Sequence, residues 1–416
     1  MRLTSAAVLF LAAAVLVGCN DTMDEAFDPK TIANKVEHPL PPRILQQMKA
    51  KGMDRNSPIA IRIFKEEGVL EVWKAKTDNR FEKITEYQIC AWSGRLGPKV
   101  KEGDRQAPEG FYPLSPAHLN PYSKYYLAIN TGFPNRFDQA NSRTGSNLMI
   151  HGACSSSGCY SMTDGQMLEI YAFARDAFKG GQKTIQLQAF PFRMTAENMA
   201  RHQHSPHFEF WKMLKVGYDN FEVTKRPPDV NVCERKYVFN QSVEGNASFN
   251  AGAACPPMST PPALASALKT YEVAYARDFE KAAKKYDGKI WYDPTEAERK
   301  ALVANQRKGR DLAYAPTGSA LKAGRFLDIE TATAQNSQQA LMSVAPSLST
   351  ASGRPAAAAA QSQPVAPQSQ PVATPAQPAP QVAAAAGSTP IPTPDPREQA
   401  QVAPSAEAKK PFWKIW

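Results

Sequence analysis

The sequence predicts a mainly β, α+β fold. A β-sandwich or barrel core carries its chemistry on connections, a helical extension follows it, and a long tail closes the chain. Three observations carry this expectation. Residues 59–64 (Ile-Ala-Ile-Arg-Ile-Phe) and 69–73 (Val-Leu-Glu-Val-Trp) are β-branched and aromatic runs separated by a turn at Lys65 to Gly68, the pattern of a hairpin. Residues 164–180 and 263–286 repeat apolar side chains at helical spacing. From about Thr331 onward that periodicity is lost; residues 354–408 are dominated by Ala, Pro, Gln and Ser, and Gln-Ser-Gln-Pro-Val-Ala at 361–366 recurs at 368–373. Such a segment lacks the apolar side chains that offset ordering entropy, so a disordered, partly polyproline-like tether is expected there.

Between these landmarks, residues 84–92, 125–130 and 148–151 read as further strands. Asp164 is placed to cap a helix whose positions Met167, Leu168, Tyr171 and Ala174 face inward, with Gly180-Gly181 as its end. Residues 184–190 return as a strand. Ser205-Pro206 opens a second helix through Val216, with Gly217 as its stop. Residues 263–286 and 294–308 are lysine-rich helices suited to an accessory lobe or lid. The expected organisation is a signal peptide at 1–18, a linker at 19–57, a catalytic domain at 58–223, a helical accessory region at 224–330 and the tail at 331–416.

Residues 150–162, Ile-His-Gly-Ala-Cys-Ser-Ser-Ser-Gly-Cys-Tyr-Ser-Met, carry the chemistry. A cysteine attacks a carbonyl as its thiolate, and a neighbouring imidazole takes the proton and pairs with the anion. Cys159 is therefore the candidate nucleophile and His151 the candidate proton acceptor and donor. Gly158 allows a sharp turn and lets its own amide and that of Cys159 approach a developing oxyanion, with Ser157 and Gly152 as support. Structural burial is the ordinary fate of an isolated Cys or His; the Gly/Ser-rich setting argues against it here.

The six cysteines, with Cys19 set aside, leave an odd number, so one free thiol is expected. Cys233 and Cys255 flank a loop-rich stretch and suit a disulfide worth about 3 kcal/mol in an oxidising compartment. Cys90 has no obvious partner in the sequence. Cys154 reads either as a packing residue or as a trap for Cys159. His202, His204 and His207 do not share a helical face and Pro206 interrupts them, so a solvated helix-entry loop is expected rather than a metal site, and no cofactor is called for.

The formal charge of +10 calls for an anionic partner or is spread over solvated helical faces. No nucleic-acid-binding motif is present, so nucleic acid is not expected. Lys409-Lys410-Pro411-Phe412-Trp413-Lys414-Ile415-Trp416 mixes cations with large rings, which suits a membrane interface or a partner groove, or is a plain hydrophobic end.

Several motifs together carry a resemblance. Met149-Ile150-His151-Gly152 followed by Ser157-Gly158-Cys159 and Met162 resembles the active site of the L,D-transpeptidase (YkuD-type) family of bacterial cell-wall enzymes. Residues 94–99 (Gly-Arg-Leu-Gly-Pro-Lys) and 102–112 look like the segments that precede that site in the family. Phe190-Pro191-Phe192-Arg193-Met194 and residues 210–218 resemble its YafK-like branch. Most of the wider family has a longer insert and a second histidine before the Gly-Cys pair; here seven residues separate His151 from Cys159, and Ser157 stands in that place, as in the branch.

The resemblance implies an L,D-transpeptidase-type core and an acyl-enzyme formed on Cys159 at the L-centre of diaminopimelate in peptidoglycan stem peptides. An amine resolves it in crosslinking or protein attachment; water resolves it in an amidase that releases a wall-attached lipoprotein. Leu16-Val17-Gly18-Cys19 after a short alanine-rich run resembles the lipobox of bacterial lipoproteins, implying export, acylation of Cys19 and membrane anchoring. Asn20 carries no acidic retention signal, so a periplasm-facing, outer-membrane anchor is expected. The alternative from another class is a catalytically idle wall-binding scaffold, which an intact His151 and Cys159 argue against.

Overall fold

The computed structural model describes residues 28–154, 156–245, 247–308 and 322–330. Cys19, the expected anchor, and the terminal Lys/Trp-rich segment lie outside them. The described chain runs through helix α1 (Pro42–Ala50) and strands β1 (Ile59–Phe64), β2 (Val69–Ala75), β3 (Phe81–Gln88), β4 (Ala91–Trp92), β5 (Gly110–Leu114), β6 (Leu119–Asn120) and β7 (Ala128–Asn130). Helix α2 (Arg136–Ala140), strands β8 (Met149–His151) and β9 (Tyr160–Ser161), helix α3 (Asp164–Lys179) and strand β10 (Ile185–Phe190) follow. After helices α4 (Ala196–Arg201) and α5 (Phe208–Thr224) come the hairpins β11 (Val230–Cys233) with β12 (Lys236–Phe239) and β13 (Ser242–Val243) with β14 (Met258–Ser259). Helix α6 (Pro262–Lys285), β15 (Lys289–Tyr292), α7 (Glu296–Arg307) and β16 (Arg325–Asp328) complete it.

The result is an α+β fold with two five-stranded sheets, ordered β3-β2-β1-β10-β5 and β4-β9-β8-β7-β6. In the first, the β1–β2 hairpin forms as its alternation demands, and β10 returns parallel to β1. All six residues of β1 are buried, as a central strand covered on both faces must be. Helix α3 packs on β1 of one sheet and β7 of the other, and ten of its residues are buried. One apolar cluster thus spans both sheets.

Thr163, not Asp164, is the N-cap of α3: its hydroxyl accepts from the Gln166 amide in a capping box. Nor does Gly217 end α5, which continues to Thr224 and stops where Lys225 turns left-handed (φ 54°). A Cβ on Gly217 would lie 2.4 Å from Phe111 and 2.5 Å from Phe239, so this glycine lets the helix approach the sheet. Residues 84–92, expected as one strand, divide into β3 and β4 with a change of sheet between them.

The framework is tied by a buried ion pair. Lys65, directly after β1, has no exposed surface; its ammonium donates to the carbonyls of Arg95 (2.8 Å), Gly97 (3.1 Å) and Ala107 (3.1 Å) and to Glu109 Oε1 (2.8 Å). Glu109, equally buried, also accepts from the Gly97 amide at 2.8 Å and from Trp211 Nε1 of α5 at 2.9 Å. Burial pushes the Lys65 ammonium pKa down, opposed by the Glu109 charge. Removing one partner leaves an uncompensated buried charge. Glu109→Ala should therefore cost about 3–5 kcal/mol of stability in urea unfolding, and adding Lys65→Met should restore part of it.

Candidate active site

Strands β8 and β9 run parallel, with Ile150 beside Tyr160 and His151 beside Ser161. Ile150 and Tyr160 point into the core. Alternation then puts His151 and Ser161 on the opposite face, and Cys159, one residue before β9 and level with Met149, on that same face. His151 and Cys159 are thus diagonal neighbours on adjacent strands, with Cα atoms about 8 Å apart by strand spacing. The register of two very short strands brings together two residues separated by a Gly/Ser-rich loop.

His151 is only 3% exposed, and its Nδ1 lies 2.6 Å from the carbonyl oxygen of Gly152. A carbonyl only accepts, so Nδ1 carries the proton and Nε2 is the bare nitrogen, which is the tautomer a proton acceptor needs. Gly152 itself has no room for a side chain: a Cβ would lie 2.5 Å from Asp164 Oδ1 and 2.9 Å from the Tyr125 carbonyl. Its amide donates to the carbonyls of Tyr125 and Leu127, so the atom that orients the imidazole is itself fixed. The Tyr125 ring lies tilted over His151, centroids 4.7 Å apart, and its side chain is half exposed. Asp164, released from the capping expected of it, accepts from the Ala153 amide at 2.8 Å.

Cys159 Sγ accepts from the Met149 amide at 3.4 Å and faces the Asn147 carbonyl at 3.8 Å. Burial pushes the thiol pKa above its ordinary 9.0, with the Met149 amide and the Lys99 charge pulling weakly the other way. Burial likewise lowers His151 below its ordinary 6.5, partly offset by the Gly152 contact. Both shifts favour the neutral forms, thiol and imidazole. Lys99 is buried and held by Asp104 Oδ1 (2.7 Å) and the Lys101 carbonyl (3.0 Å).

The loop before the thiol differs from expectation at one point. Gly158 has φ 125°, a conformation L side chains avoid. However, its amide and that of Cys159 both point to Ser156 Oγ, at 3.4 and 3.1 Å, so they are not the open oxyanion donors expected. Ser156 Oγ in turn donates to the Cys159 carbonyl at 2.7 Å and lies 3.0 Å from Ser93 Oγ. Ser157 is exposed. Ser156 and Ser93 escaped the sequence reading because a serine among serines has no distinguishing signal; only the fold selects which hydroxyl turns inward.

The other cysteines among the described residues are paired. Cys90 and Cys154 form a disulfide, Cα atoms 5.1 Å apart, which ties the middle of the His151–Cys159 loop to the residue before β4. Cys154 therefore neither sits as a bare packing residue nor traps Cys159. Cys233 and Cys255 form the second disulfide, and Cys159 is the free cysteine among the described residues. The three histidines go separate ways. His202 is buried against Glu66 (3.1 Å) and Phe192, His204 is exposed, and His207 lies against Gly97 and Trp211.

Comparison with known proteins identifies the family. The YkuD-type L,D-transpeptidase catalytic domain matches residues 60–185. The proteins named "Putative L,D-transpeptidase YafK" in Escherichia coli K12 and O157:H7 are each 46% identical over 185 residues, spanning 44% of this chain and 75% of theirs. Among solved structures, a variant of the helical cell shape determining protein Pgp2 from Campylobacter jejuni is 20% identical over 44% of this chain and 65% of that one. Its TM-score of 0.27 is too low to support any argument. On the sequence match, the chain belongs to the L,D-transpeptidase catalytic-domain family of peptidoglycan-modifying enzymes.

Proposed function

We propose that this protein is an exported cysteine acyltransferase or amidase acting on peptidoglycan stem peptides, tethered to the outer membrane through an acylated Cys19. The observation that supports it most is the free Cys159 next to the strand that lies beside His151, whose Nδ1 proton is fixed on the Gly152 carbonyl. Nε2 takes the thiol proton as Sγ attacks the amide carbonyl at the L-centre of diaminopimelate, forming the carbon–sulfur bond. As the tetrahedral intermediate collapses, the carbon–nitrogen bond breaks and the imidazolium gives that proton to the leaving amine. An incoming amine or water then loses a proton to His151, attacks the thioester and releases the thiol.

Which acceptor resolves the thioester decides between crosslinking, attachment of a protein lysine, and release of a wall-linked lipoprotein. The 46% identity to YafK, whose name is that of a putative L,D-transpeptidase, supports attack by an amine, while the resemblance to the YafK-like branch at Ser157 also implies attack by water. Incubating the protein with sacculi and reading the products by mass spectrometry separates these outcomes. Loss of lysine-linked peptide supports the amidase; new diaminopimelate-to-diaminopimelate crosslinks support transpeptidation; neither, with no acylation of Cys159 by a carbapenem, supports the idle scaffold.

Two further outcomes are expected. Cys159→Ala lowers turnover at least about 10³-fold with an unchanged circular dichroism spectrum and melting curve; retained turnover would remove the thiol from the mechanism. Because both groups rest neutral, kcat/KM should rise through an acid limb below pH 6.5, while iodoacetamide alkylation of Cys159 should titrate above 9.0. A thiol that alkylates fully at pH 6 would instead reveal a resting ion pair.

A further inference from the structure

The matched catalytic domain ends at residue 185, yet the segment that closes over the loop behind the thiol comes from more than a hundred residues later. At the end of β15, Asp293 Oδ2 accepts from the Leu96 amide at 3.0 Å. On α7, Glu296 accepts from the Gly94 amide at 3.3 Å and from Arg105 at 2.9 Å. Arg299, only 5% exposed, donates to the Gly94 carbonyl at 2.6 Å and stacks its guanidinium 4.0 Å from the centre of the Trp92 ring. The other cation on Trp92 is Lys65, at 5.0 Å. All of these contacts fall on residues 92–105, the stretch that lines the back of the thiol loop.

From there two short routes reach Cys159. Trp92 pairs with Tyr160, the residue after the nucleophile. Between Trp92 and Gly94 lies Ser93, whose hydroxyl meets Ser156 Oγ at 3.0 Å. Since the single proton of Ser156 goes to the Cys159 carbonyl, Ser93 is the donor to Ser156 Oγ, whose second lone pair takes the nearer amide, that of Cys159 at 3.1 Å. Arg299 thus holds the Trp92 ring on one side of Ser93 and the Gly94 carbonyl on the other, and Ser93 bonds the hydroxyl that holds the Cys159 amide and carbonyl.

We infer that the C-terminal segment Asp293–Arg299 is part of the catalytic apparatus, with Arg299 as a positioning residue that holds the Cys159 loop through Trp92, Gly94 and Ser93. The inference rests on Cys159 being the nucleophile. It gives the helical extension a role distinct from a lid: the segment sets the alignment of the nucleophile through the loop that precedes it.

The test uses the full chain. In Arg299→Ala, turnover of sacculi should fall about 10- to 100-fold, since small misplacements of a reacting atom carry losses of that size. At the same time the loosened, more hydrated thiol should alkylate with iodoacetamide about threefold faster at pH 8, its titration moving back toward that of a free thiol. Unfolding would also expose the buried thiol, so the circular dichroism spectrum and melting curve are read in parallel: the inference expects both changes in a protein still fully folded at the assay temperature, and changes that only follow the unfolded fraction would overturn it. Arg299→Lys, which keeps a cation and a donor, should recover part of both.

Turnover and alkylation both within twofold of the parent would overturn the inference, as would a fall in turnover with an unmoved alkylation profile. If Arg299→Ala does not fold, Glu296→Ala and Arg105→Ala weaken the same clamp at its rim and should move both readouts in the same opposite directions. If neither variant does so, the inference fails. Cys159→Ala in parallel separates the two levels: should it keep turnover, the reading of the nucleophile fails, whatever Arg299 does.

Discussion

The buried Lys65–Glu109 pair is the constraint on which the rest of the structure depends. Neither charge reaches water, and together they engage three backbone carbonyls, one backbone amide and one indole. Those partners belong to the end of β1, the loop between β4 and β5, and α5, which do not otherwise share an element. A charge in such a place is tolerable only when all its hydrogen bonds are made. That requirement fixes the course of residues 95–109 far more tightly than apolar contact does, because each carbonyl must point at one atom.

The path of that loop in turn fixes the thiol. Pro108 offers its carbonyl to the Tyr160 hydroxyl at 2.6 Å, and Ser93 reaches Ser156. The Cys90–Cys154 disulfide adds a covalent tie on the same side. His151 is held from the other side, through Gly152 and the carbonyls of Tyr125 and Leu127. Nucleophile and base are therefore referenced to different parts of the framework and meet only because β8 and β9 are in register. Burial favours the neutral form of each, so the backbone rather than mutual charge supplies their alignment.

How much was legible in the sequence follows from the range of the interactions. The β1–β2 hairpin, α3 and the His151–Cys159 segment depend on neighbours within a few residues, and periodicity or residue chemistry revealed them. Gly217 was read as a helix stop because a glycine's local effect is known, whereas its reason here is Phe111 and Phe239 on other elements. The partner of Cys90 lies 64 residues away. Strand β5 carries Gly110 and Pro113, which hide it from propensity, and it forms only because β10 offers an edge. The burial of Lys65 with Glu109 has no local signal, because the partners lie 44 residues apart.

The parallel pairing of β1 with β10 also governs how the molecule is built in time. Ala60 lies beside Gln186, so every strand of the second sheet, and the whole His151–Cys159 segment, is enclosed in the chain between these partners. A contact of that sequence separation forms late, because a long loop must close before it is rewarded. As the chain emerges from its N-terminus, the fully apolar face of β1 has its hairpin partner β2 on one side and an open edge on the other until β10 arrives. For that interval it is exposed to pairing with other chains, and protection by a chaperone is the natural remedy.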